Sequence, residues 1–145
     1  MSVLRFTLSS QARVAGVVFS APRPGDAGFD IRACVAVAIY PGEQVAVPTG
    51  LSIAVPLGFV AIIKDRSSMA LKGIYSHAGV IDASYRGEVK VLLSNSGSDP
   101  YQINPGDKVA QLVVVQHLSL CEEVESLDEL GETERGAGGF GSTGR

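Results

Sequence analysis

Cysteine is scarce in this chain, and the two present, Cys34 and Cys121, show neither a CxxC nor a Cys/His ligand spacing. They read as reduced, structural thiols rather than a bridge or a metal site, which points to a cytoplasmic address. Long hydrophobic runs are missing too. The longest apolar stretch, 51–63, is interrupted by Pro56 and Gly58 and ends at Lys64, too short and too broken to cross a bilayer as a helix. The opening MSVLRFTLSSQARVAG has no long apolar segment, so a secretory signal is not expected. Charge is low, at 19% of residues, and uneven: seven of the fifteen acidic residues lie between Glu122 and Glu134. Residues 1–118 then hold ten basic and eight acidic side chains. That balance gives no broad cationic face for duplex nucleic acid, but a few placed arginines can still hold a small anion. The expectation is a soluble protein with neither a nucleic-acid nor a membrane partner.

What the chain does have is apolar material, 46% of 145 residues, enough for one folded domain with its own core. Segments 3–8, 31–39, 43–48, 51–55, 59–64, 88–94 and 108–115 are short, rich in Val, Ile, Leu and Ala, and bounded by Gly, Pro, Asp or Asn. This is the pattern of strands, and their spacing predicts an all-β sandwich or barrel. YPGE, VPLGF, SGSDP and NPGD are turn clusters between them. One short helix is predicted at Ser67–Lys72, with Ser67 or Ser68 as its cap and Gly73 as its stop. Hydrophobic patterning fades after Leu118, which divides the chain into a β domain at 1–118 and an arm at 119–145 ending in the flexible, glycine-rich RGAGGFGSTGR.

Five segments carry polar groups that each allow a structural or a functional reading. In GVIDASYRGEVKVLLSN, Asp82 falls in a predicted hairpin turn, with Tyr85 and Arg86 close behind. The carboxylate either makes the turn or works as a general base toward water. DRSSMALKG joins Arg66 to Ser67 and Ser68 at a helix start, which suits either an ordinary capped helix or a phosphate. Asp30 opens a strand, and Gln111 interrupts an apolar one. The tail adds Arg135, Phe140, Gly141, Ser142 and Thr143 to a run of glycines whose N–H groups can approach oxygen atoms. It is not a Walker P-loop, because the Gly-Lys-Ser/Thr ending is absent.

Taken together and in this order, the segments resemble the five motifs of the trimeric dUTP diphosphatase (dUTPase) family, with the likeness running from Pro24 to Gly144. The resemblance implies a distorted jelly roll or β-barrel. It also implies hydrolysis of dUTP to dUMP and pyrophosphate, which limits uracil in DNA and supplies dUMP for dTMP synthesis. Asp82 matches the family's water-activating aspartate, and Tyr85 the tyrosine that stacks on deoxyribose and leaves no room for a 2′-hydroxyl. The backbone around Gly79, Val80, Ile81 and Lys90 resembles the slot that reads uracil's polar edge. Arg66, Ser67 and Ser68 match a phosphate-binding motif, and Gln111 a glutamine at the α-phosphate. Asp30 matches a supporting aspartate expected to hold an arginine such as Arg86. In the tail, Phe140 would stack on uracil while Arg135, Gly141, Ser142 and Thr143 wrap the γ-phosphate. Mg²⁺ is implied on the triphosphate rather than in a protein cage, together with a homotrimer that shares its sites between subunits.

Asp65 departs from the proline or glycine that many relatives place before the arginine. dCTP deaminases share the fold and an RSS-type segment, but rely on a glutamate base where this chain has VIDASYRG. A non-catalytic, nucleotide-sensing relative should have lost Asp82 or the tail, and both are present here.

Overall fold

The computed structural model describes residues 2–141. Its strands are β1 (Arg5–Leu8), β2 (Phe29–Arg32), β3 (Val37–Ile39), β4 (Gln44–Val47), β5 (Leu51–Ala54) and β6 (Phe59–Lys64). They continue with β7 (Ile74–His77), β8 (Val80–Ile81), β9 (Val91–Asn95), β10 (Tyr101–Ile103) and β11 (Lys108–Gln116). Two short helices, α1 (Ser10–Val14) and α2 (Ser67–Ala70), and a 3₁₀ turn at Leu127–Leu130 complete the described elements. The strands form four antiparallel sheets, β1-β5, β10-β3, β2-β11-β6-β8 and β4-β9-β7. The fold is therefore all-β and jelly-roll-like, not a closed barrel.

Alternation sets which face is buried. In β5, Leu51 and Ile53 point inward, and in β9 Val91, Leu93 and Asn95 do so, meeting Ile31, Ile39, Ile74 and Leu112 in one core. Asn95 is tolerated there because its amide is fully used. Its Nδ2 donates to the carbonyls of Ile39 and Asp99, each at 2.8 Å, and its Oδ1 accepts from Gly97 N at 2.8 Å.

Three sequence expectations change. The predicted strand 31–39 divides into β2 and β3, because the consecutive Ala33 and Cys34 are both buried and their N–H groups go to different neighbours, Asp107 O and Pro48 O. Helix α1 was not expected. Its five residues are too few to show periodicity, but Ser9 caps it by accepting from Ala12 N at 3.1 Å. Helix α2 is capped by Arg66 without a side-chain hydrogen bond, not by Ser67 or Ser68, and it ends at Ala70.

Cys34 is buried and Cys121 exposed, and both are free. Burial first, and then the charge of Glu88, raises the Cys34 thiol above its ordinary value, against a smaller opposing backbone hydrogen bond. A thiol reagent at pH 8 is expected to label one cysteine per native chain, Cys121, and a second only after denaturation. Rapid native labelling of Cys34 would contradict this packing.

Candidate active site

The first half of the site is a cavity of about 470 Å³ that collects Gly79, Val80, Ile81, Asp82, Tyr85 and Lys90, walled by Ile63, Glu88 and Val89. Strand β8 pairs with β6 through Ile81↔Ala61 and Val80↔Ile62, and Gly79 O extends the contact by accepting from Ile63 N at 2.8 Å. Only glycine fits at 79. Its φ is +96°, and a Cβ would stand 2.8 Å from that of Ile63. The strands on either side of Asp82 are not a hairpin, contrary to the sequence reading: β8 belongs with β6, whereas β9 pairs with β4 and β7. Residues 82–90 cross from one sheet to the other.

That crossing is held mainly by backbone acceptors. Tyr85 N donates to Asp82 O and Tyr85 Oη to Glu88 O, each at 3.0 Å, and the phenol lies over Gly87, where a side chain would collide with it. Glu88 Oε1 accepts from Gly50 N at 2.8 Å and Thr49 N at 3.1 Å, anchoring the far end of the loop. Arg86 donates to the carbonyls of Ala83 and Tyr85, each at 2.7 Å. Within one chain the expected Arg86–Asp30 pair is not formed, because Asp30 lies in another cavity and bonds Lys108.

The second half is a cavity of about 760 Å³ at the β2-β11-β6 face, where Asp30, Arg66 and Gln111 converge. Asp30 and Lys64 both pair with Gln111, one on each side of it, so the three stand in a row across the sheet. Gly28 leaves room for the glutamine, since a Cβ there would be 3.0 Å from Gln111 Oε1. The register of β11 shifts between Lys108 and Ala110, a bulge. It brings Lys108 and Gln111, three apart in sequence, onto the same cavity.

Five cations line this cavity, Arg23, Arg32, Lys64, Arg66 and Lys108, against Asp26 and Asp30. Arg23 pairs with Asp26 at 3.5 Å and Lys108 with Asp30 at 2.7 Å. Arg32 and Arg66 are instead steadied by backbone carbonyls, Gly106 O at 2.7 Å and Lys108 O at 2.9 Å. Among the described residues Arg32, Lys64 and Arg66 take part in no ion pair, which leaves three positive charges for a polyanion. Sequence reasoning missed Arg32, Lys64 and Lys108. Period-two spacing was the available signal for two of them, since Arg32 follows Asp30 and Lys64 precedes Arg66 by two positions.

Not every expected residue joins these cavities. Ser67 and Ser68 are exposed on α2 and line neither. With a single turn, α2 has little dipole to offer an anion, and the N–H groups of Met69 and Ala70 are already bonded to Arg66 O. In the tail, Arg135 Nε donates to Gly138 O at 2.8 Å and Phe140 is fully exposed. Neither these two nor Gly141 lines either of the two cavities, and Ser142 and Thr143 lie outside the described residues. The two cavities share no lining residue. No helix is long and apolar enough to cross a membrane among the described residues.

Comparison with known proteins agrees with the geometry. The sequence profile of the dUTPase family matches residues 15–144. The chain is 45% identical over 126 residues to deoxyuridine 5'-triphosphate nucleotidohydrolase of Bdellovibrio bacteriovorus, covering 83% of each chain. Its structure is similar to that of a mutant dUTPase of Staphylococcus bacteriophage 80alpha with dUpNHpp, at a TM-score of 0.88 and 25% identity over all of both chains. A mutant dUTPase from phage phi11 of S. aureus, described with a coordinated structural Mg(II) ion, matches with a TM-score of 0.77 and 26% identity, covering 87% of this chain and 99% of that one.

Proposed function

The chain belongs to the dUTPase family and hydrolyses dUTP to dUMP and pyrophosphate, and from that premise we propose how its own residues do so. The observation that carries the assignment of roles is the position of Asp82 on the lining of a cavity bounded by Gly79, by the β8 residues Val80 and Ile81, and by Lys90. Uracil enters this slot, where backbone groups meet its O2, N3–H and O4. A cytosine would leave those groups unpaired, which is how a small site discriminates strongly. Tyr85 closes the slot against a 2′-hydroxyl.

Asp82 takes a proton from water, and the water oxygen bonds to the α-phosphorus as the bond to the bridging oxygen breaks. Pyrophosphate leaves, and dUMP remains. No covalent enzyme intermediate is required. Arg66 and Gln111 position the α-phosphate, and Lys64 and Arg32 add charge around the chain of phosphates. The hydroxyls of Ser67 and Ser68, exposed outside this cavity, receive phosphate oxygens only from substrate that reaches beyond it. Asp30 holds Lys108 beside the glutamine.

Because the slot and the cationic cavity are separate within one chain, we assign them to a composite site in a homotrimer, the slot of one subunit facing the cations of another. Arg86 then braces the loop that reaches across. The arm 119–145 is a separate functional unit from the β domain 1–118: Phe140 covers the base, and Arg135, Gly141, Ser142 and Thr143 gather the γ-phosphate. The free thiols of Cys34 and Cys121 fit work in the cytoplasm.

Mg²⁺ is the cofactor. Among the described residues no three His, Cys, Asp or Glu side chains cluster to hold a metal, a donor set that fits a cation carried in by the triphosphate itself. When bound it neutralises charge on the departing pyrophosphate. Incubation with dUTP and with dCTP, assayed separately for pyrophosphate and ammonia, is expected to give pyrophosphate from dUTP and ammonia from neither. Excess EDTA is expected to suppress that turnover by about tenfold or more without moving the melting temperature. Ammonia from dCTP would overturn the assignment, and a large fall in melting temperature with EDTA would place the metal in the protein.

A further inference from the structure

Asp65 stands between two cavity residues, Lys64 and Arg66, yet it lines neither cavity. Its Oδ1 accepts from Ser76 N at 2.6 Å and from Ser76 Oγ at 2.5 Å. That places its charge on β7, not on the phosphate side.

Ser76 begins the segment that ends in the wall of the base slot. Along this segment contact with β6 is made at successive points: Ile81 and Val80 pair with Ala61 and Ile62, and Gly79 O meets Ile63 N. The run is interrupted at Ala78, a non-glycine residue in the left-handed region with φ 55°. Past that turn, the Asp65 carboxylate provides the acceptor that a continuing backbone ladder would have supplied. Gly79 is packed directly on Ile63, whose N–H its carbonyl accepts at 2.8 Å and whose Cβ leaves no room for a side chain at 79. A shift at Ser76 is therefore transmitted to Gly79–Ile81.

We propose that Asp65 is a positioning residue for base recognition. By holding Ser76 it fixes the Ala78–Gly79 turn, and through it the slot that reads uracil; it does not tune affinity for phosphates by repulsion. This rests on the dUTPase reading given above.

Asparagine keeps an Oδ1 acceptor and loses the charge, whereas alanine loses both, so the two substitutions separate geometry from electrostatics. The measurements are KM and kcat for dUTP, the dUTP/dCTP preference, and calorimetric binding of dUMP, which lacks the β- and γ-phosphates. Asp65→Ala is expected to raise KM for dUTP and Kd for dUMP about tenfold, with kcat within about twofold and a weaker preference for uracil. Asp65→Asn is expected to recover most of that loss. Equal effects of Asn and Ala, tighter dUTP binding in both, or a fall in kcat at constant KM would each overturn the proposal. Should Asp65→Ala not fold, Ser76→Ala removes the hydroxyl half of the contact and is expected to raise KM about threefold; an unchanged KM and Kd would equally overturn it. Absence of dUTP turnover in the unmodified protein would instead remove the reading on which it rests.

Discussion

Replacing Asp82 with asparagine is expected to lower kcat for dUTP by about 10³-fold while the Kd for a non-hydrolysable dUTP analogue stays within about threefold. Asparagine matches aspartate in shape and can still accept a hydrogen bond from water, but it cannot take the proton. The loop should keep its form, because its bonds run through backbone oxygen atoms: Asp82 O to Tyr85 N, and Glu88 O to Tyr85 Oη. Steady-state pyrophosphate release measures the effect, and near-normal turnover would remove Asp82 from the chemistry. Mixing is a second arm of the same experiment. Asp82→Asn and Arg66→Ala chains, each inactive alone, are expected after co-refolding to regain about one quarter of the native sites if slot and cationic cavity come from different subunits. No recovery from properly mixed oligomers would place both halves within one chain.

Deleting residues 135–145 is expected to leave a folded, oligomeric protein whose kcat/KM for dUTP falls by about 10²–10³-fold. The last strand, β11, ends at Gln116, and from there to Gly141 the chain lies almost wholly in solvent. Among the described residues the Arg135 side chain bonds only to the nearby Gly138 carbonyl, and the ring of Phe140 contributes nothing to the core. Their removal should therefore not move the melting temperature. An aromatic ring and a guanidinium left in water by the fold gain a role only when an aromatic base and a polyphosphate are present to receive them. Full activity of the truncated protein would take the tail out of the mechanism.

Much of this was legible in sequence because the signals are local. Alternation at LSIA and VLLSN reports which side chains face inward, and Gly and Pro clusters report where strands stop. The order of the five polar segments named the chemistry, and six of the expected residues do share the base cavity. Legibility ended where two residues meet only through a third element. Asp30 was expected to hold an arginine and holds Lys108, 78 positions away, because β2 and β11 are neighbours in the sheet. The predicted hairpin around Asp82 failed for the same reason: strands adjacent in sequence found partners in different sheets.

By itself, then, the sequence determined the all-β class and the family, since these depend on residue type and on spacing along one strand or turn. Tertiary structure alone decided what each group faces. In a regular strand Lys108 and Gln111 point to opposite sides; the bulge between them reverses that parity and builds the cationic cavity. Asp65, adjacent in sequence to Arg66, does not face the cationic cavity but bonds Ser76 on β7, a strand of a different sheet from β6. Period two is written in the chain, but a change of register is settled only when the strands pack.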